Sequence, residues 1–129
     1  MKPSNTFIIA LLVGIHFVLA FAYAVHTPYH TPGKYRDGGG AIIPDIGAPD
    51  ELQHVVNIQA YMHGQLPVLD ANDPNLGAHY QAHQPPLFYV LAAGWAKAFG
   101  YNSLGSQGAG LTLRLLNVLI GCANVLGVF

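Results

Sequence analysis

The chain has 129 residues, of which 52% are hydrophobic and only 9% charged, against about 25% charged in an ordinary soluble domain. Its net charge of −1 at neutral pH excludes the basic footprint that a nucleic-acid partner requires. The single cysteine, Cys122, lies in an apolar run and excludes an internal disulfide.

Residues 6–25, "TFIIALLVGIHFVLAFAYAV", carry no formal charge. At 1.5 Å per residue they reach about 30 Å, the thickness of a hydrocarbon core, and they are read as a transmembrane helix. Lys2 precedes the span and favours a cytoplasmic N-terminus. Ala22-Tyr23-Ala24 also fits a signal-peptidase site, with Val25 as the mature N-terminus. The apolar run is longer than the roughly 7–15 residues of a signal core, which favours the anchor. His16 lies mid-span. A neutral imidazole bonded to another helix is the expectation there, ahead of a direct functional role.

Residues 26–110 form the stretch between two apolar segments. All six acids (Asp37, Asp45, Asp50, Glu51, Asp70, Asp73) and six of the seven histidines fall inside it. Residues 26–49 contain many prolines and glycines and are read as loop. Residues 50–63, "DELQHVVNIQAYMH", predict an amphipathic helix. Pro49 and the two acids suit its N-terminus, Leu52, Val55, Val56 and Met62 its apolar stripe, and Gly64 its stop. Residues 65–83 read as irregular, with turn residues at Asn72-Asp73-Pro74. Pro85-Pro86 opens a second helix over residues 86–99. Its fourteen residues reach about 21 Å, short of a full span, so a helix lying at the membrane interface is expected. Tyr89 and Trp95 suit the headgroup level.

Residues 101–110 read as a Gly/Ser loop, and residues 111–129 as a second spanning helix with Arg114 near its start. No polar flank follows Phe129, so the expectation is the N-terminal piece of a longer, multi-span protein. The fold class is therefore mainly α and integral to a membrane. Two transmembrane helices flank an extracytoplasmic loop that carries the amphipathic and the interfacial helix.

A carboxylate at a helix start beside a membrane can act as a general base on an acceptor hydroxyl. A phosphate leaving group would need donors, such as the start of the Pro85-Pro86 helix or the fork of Arg114. Each part also has a plain structural role: the acids as helix caps, the prolines as a helix start, Arg114 as an interfacial anchor. A divalent metal is a further option. Asp50 and His54, and likewise His79 and His83, stand at i, i+4. No HExxH or CxxC pattern accompanies them.

Three stretches carry a resemblance: "PDELQHVVNIQAYMHGQLPVLD", "YQAHQPPLFYVLAAG" and "LRLLNVLIG". In this order they resemble the start of membrane glycosyltransferases of the GT-C superfamily, in particular the protein O-mannosyltransferase and lipid A aminoarabinose transferase branch. The resemblance covers roughly residues 49–125. It implies a polyprenyl-phosphate-linked sugar as donor and an acceptor (protein, lipid or glycan) on the outer face. It places the catalytic base on Asp50, with Glu51 as the second acid. The donor phosphate falls near Pro85, Pro86, Leu87 and Arg114, with His54, His83, Gln84 and Tyr89 as further substrate-binding residues. Some relatives carry a basic residue directly before Pro-Pro; this chain has Gln84 there, and His83 one step earlier. Two spans cannot enclose a lipid-linked sugar, so activity is expected only from a longer protein. The rival expectations are a non-enzymatic two-span module whose loop binds a metal or partner, and a secreted small protein with a cleaved signal.

Overall fold

The computed structural model describes residues 5–36, 42–46, 51–74 and 76–128. The chain is mainly helical. Helix α1 spans Asn5–His26, and α2 spans Glu51–Met62. A one-turn α3 at Leu76–His79 runs into a 3-10 turn at Tyr80–His83. Helix α4 spans Pro86–Ala98 and α5 spans Gln107–Gly127.

Helices α1 and α5, with 22 and 21 residues, are each long and apolar enough to cross a membrane. Only Ala24 of α1 is buried within the chain. Its remaining surface exposes Phe7, Leu11, Val18, Leu19 and Phe21, a distribution suited to an apolar surrounding. Helix α5 starts four residues before the expected position 111. Ser106 explains the difference: its hydroxyl caps the helix by accepting the Ala109 N–H at 3.2 Å. The Gly/Ser loop is correspondingly shorter, and Arg114 stands seven residues into the helix, about 10 Å from its start.

Helix α5 meets α1 at Gly121 and the segment just after α1 at Gly110. A Cβ at Gly121 would overlap the His16 ring, and one at Gly110 would overlap the Tyr29 ring. His16 meets the later glycine and Tyr29 the earlier one, so the helices run antiparallel. Gly110, Leu113, Arg114, Asn117, Val118 and Gly121 recur at three- and four-residue steps and form one face of α5. His16 does contact the neighbouring helix, but not through the expected hydrogen bond. Its Nε2 is buried and has no partner among the described residues, and the contact is one of shape.

Helices α2 and α4 pack on each other beside one end of this pair. Val55, Ile58 and Met62 of α2 and Tyr89, Ala92, Ala93 and Ala96 of α4 are buried in one core, together with Tyr29, Leu104, Ala109 and Leu113. The alanines let α4 approach closely, and the Trp95 indole N–H donates to the Thr112 carbonyl at 2.9 Å, fastening α4 to α5. The outer side of α4 keeps Leu87, Val90 and Leu91 exposed.

Both middle helices stop the same way. Gly64 and Gly100 adopt left-handed backbone, with φ of 74° and 81°. In α2 the Gln65 N–H returns to Ala60 and the Gly64 N–H to Tyr61; in α4 Tyr101 returns to Ala96 and Gly100 to Lys97. Each pair closes the orphan carbonyls of a last turn, and only glycine adopts that conformation without strain.

The loop expectation for residues 26–49 needs correction. Strand β1, His30–Arg36, pairs antiparallel with β2, Ile42–Ile46, with an irregularity between Thr31 and Tyr35. Prolines at 32 and 44 did not forbid it: both strands of a two-stranded ribbon are edges, and an edge or a bulge tolerates a missing donor. Residues 76–83, expected to be irregular, form the α3 and 3-10 turns.

Candidate functional site

Arg114 organises the junction of α1, α2 and α5. Its Nε and Nη2 donate to the two carboxylate oxygens of Glu51, both at 2.8 Å. Nη1 donates to the carbonyls of Ala24 at 3.1 Å and Thr27 at 2.5 Å. Nη2 also donates to the carbonyl of Pro28 at 3.3 Å. All five guanidinium N–H groups are thus engaged within the chain. The carbonyls of Ala24 and Thr27 belong to the end of α1 and the residue beyond it, where a cation meets the negative pole of the helix. The pair is largely shielded from solvent, with side-chain exposures of 11% for Arg114 and 18% for Glu51.

Tyr29 backs this clasp. Its ring lies 5.6 Å from the Arg114 guanidinium carbon, and its hydroxyl donates to the Leu104 carbonyl at 2.6 Å. Burial pushes the Tyr29 phenol well up; the Glu51 charge adds to this and the Arg114 charge opposes it. The hydroxyl therefore remains a proton donor throughout the neutral range.

One turn after Glu51, His54 Nδ1 lies 2.9 Å from the Tyr89 hydroxyl. Tyr89 is enclosed by aromatic neighbours, with Tyr61 stacked at 6.1 Å and Phe88 edge-on at 5.5 Å between ring centroids. Glu51, His54 and Arg114 all border a cavity of about 580 Å³. Its floor runs along α1 from Thr27 past Tyr23 and Ala20 to His16, and its walls are Ile58, Phe88, Leu113 and Val118. Thr27 and His16 are eleven residues apart, so the cavity follows α1 for about 16 Å. One end is polar and charged, and the other is apolar except for His16 and Asn117.

The sequence-predicted residues divide accordingly. Glu51, His54 and Arg114 come together, and Tyr89 joins them through His54. Gln84, Pro85 and Pro86 are exposed at the start of α4 and do not border this cavity; α4 reaches it through Phe88. Asp50 and the His83 side chain lie outside the described residues. For a metal, no group of three or more His, Cys, Asp or Glu side chains converges among the described residues. Of the metal candidates, His54 is bonded to Tyr89 and His79 to Asp73. Sequence reasoning did not anticipate Tyr23, Asn117 or Tyr29. The polar Asn117 inside an apolar span was a usable signal; Tyr29, in a Pro-rich stretch, offered none.

Compared with known proteins, the chain matches no protein family, no curated protein and no solved structure.

Proposed function

We propose that this chain is the N-terminal segment of a membrane glycosyltransferase, which transfers a sugar from a polyprenyl-phosphate donor to an acceptor on the extracytoplasmic face. One observation carries the reading. Beside the paired apolar helices, a cavity with a charged, hydrogen-bonding end continues into an apolar trough along α1. That polarity suits an amphiphile with a polar head at the membrane surface and a hydrocarbon chain inside it. The resemblance of the ordered motifs to GT-C enzymes supplies the reaction class. In this reading Asp50, the residue before Glu51 in the sequence, removes the proton from the acceptor hydroxyl. The hydroxyl oxygen bonds to the sugar carbon, and the polyprenyl phosphate departs with the electron pair. Arg114 has its donors committed to Glu51 and to the end of α1, so its part is to fix the start of α2 against α1 and α5. His54 lines the path of the donor head, and Tyr89 holds its ring from the core.

The clasp also favours the anchor over a cleaved signal. Cleavage after Ala24 would remove α1, its packing on α5 and one carbonyl that Arg114 holds.

The test is transfer by the full-length protein in membranes, using a polyprenyl-phosphate sugar. Asp50→Asn is expected to lower transfer by about 100-fold or more, as removal of a general base does, while insertion and amount in the membrane stay unchanged. Transfer near the wild-type rate would overturn the assignment.

A further inference from the structure

A second cavity, of about 630 Å³, lies on the other side of α2. It is bounded by α2, by the segment after Gly64, by α3 with the 3-10 turn, and by Ser103 and Gly105. Among the described residues, no Asp, Glu, Lys or Arg lines it. Its polar groups are amides, a hydroxyl and imidazoles, notably Asn57, Gln59, His63, His79 and Ser103. Asn57 borders the cavity although the residue is only 2% exposed. Aliphatic carbons of α2 and of the Leu66–Val68 segment supply the rest of the lining.

His79 gives the cavity its polarity. Its Nδ1 is hydrogen-bonded to a carboxylate oxygen of Asp73. A carboxylate accepts and cannot donate, so in the neutral ring it fixes the proton on Nδ1. Nε2 is then an acceptor, and it calls for a ligand that donates a proton. Gln59 has a complementary bias: its Oε1 accepts the Leu104 N–H at 3.4 Å, leaving its amide N–H groups as donors. Donors, acceptors and aliphatic carbons without formal charge match a molecule dense in hydroxyls with C–H faces. A phosphate or acidic ligand would need a fixed cation, and none lines the cavity among the described residues.

We propose that this second cavity binds a neutral glycan, with His79 Nε2 accepting a sugar hydroxyl and Asp73 acting as the positioning residue that sets the His79 tautomer. As a binding site the cavity stands independently. As the acceptor site of a transferase it rests on the glycosyltransferase reading, and it makes that acceptor a glycan rather than a polypeptide or a lipid.

Saturation-transfer NMR on the full chain in phospholipid nanodiscs tests this, with a neutral mannotriose as probe and a neutral Ser/Thr peptide as competitor. The trisaccharide is expected to receive saturation, and the peptide to leave its signal unchanged. His79→Ala should weaken binding about tenfold, the effect of one lost hydrogen bond to a neutral group. His79→Gln, whose amide oxygen reaches the Nε2 position, should restore most of it. Asp73→Asn should weaken binding about threefold with an unchanged circular dichroism spectrum, because an amide no longer dictates the tautomer. A silent trisaccharide, undiminished binding in His79→Ala, no rescue by Gln, or binding of the peptide instead would each overturn the proposal. None of these outcomes depends on transfer, so failure here is distinct from failure of the Asp50→Asn assay.

Discussion

A guanidinium has five N–H donors, and Arg114 uses all of them on its own chain. Lysine cannot reproduce this, because an ammonium lacks the planar fork that holds both Glu51 oxygens and three carbonyls at once. Arg114→Lys is expected to cost about 1–2 kcal/mol, and Arg114→Ala about 3–5 kcal/mol, the range for breaking a shielded ion pair by removing one partner. The thermal midpoint of the purified chain in detergent measures both. If Arg114→Lys melts with the wild type, the clasp is not what joins α2 to the spans. The charge pair was half legible. Glu51 and Arg114 each stood out as rare charges in an apolar chain. That they meet across 63 positions was not readable, because pairing depends on where two helices are brought together.

The element scale shows where sequence reasoning was strongest. Apolar run length located α1 and α5, and the stop read at Gly64 is where α2 ends, on a residue without a Cβ that turns left-handed. The start of α5 and the hairpin were missed for one reason. Gly, Ser and Pro were read by their local cost, while a cap at Ser106 and a paired strand edge offset that cost. The packing of α5 on α1 at Gly121, and on Tyr29 just beyond α1 at Gly110, uses two glycines that composition alone cannot assign. Gly121→Ala should cost about 1–3 kcal/mol through overpacking against the His16 ring. His16→Ala should relieve it. A double-mutant cycle on thermal stability is then expected to show coupling of about 1 kcal/mol or more, and additive losses would separate His16 from Gly121.

At the scale of the whole molecule, the expectation from Lys2 before α1 is a cytoplasmic N-terminus. The middle of the chain would then face outward. A cysteine placed at Ser103, in a Cys122→Ser background, is expected to react with a membrane-impermeant maleimide on intact cells; labelling only after permeabilisation would reverse the topology. The sequence by itself determined the class: few charges, two long apolar runs and a polar middle leave a mainly helical chain built around two candidate spans. It also marked the candidate residues, since Asp, Glu, His and Arg are few and clustered. Only the tertiary structure decided how those residues are placed and paired. It turned Arg114 inward onto Glu51 and the end of α1, joined His54 to Tyr89, fixed His79 with Asp73, and opened one cavity on each side of α2. The physical reason is range. Burial and backbone preference act over neighbouring residues and are written along the chain, whereas ion pairs and cavities form between segments that only packing brings together.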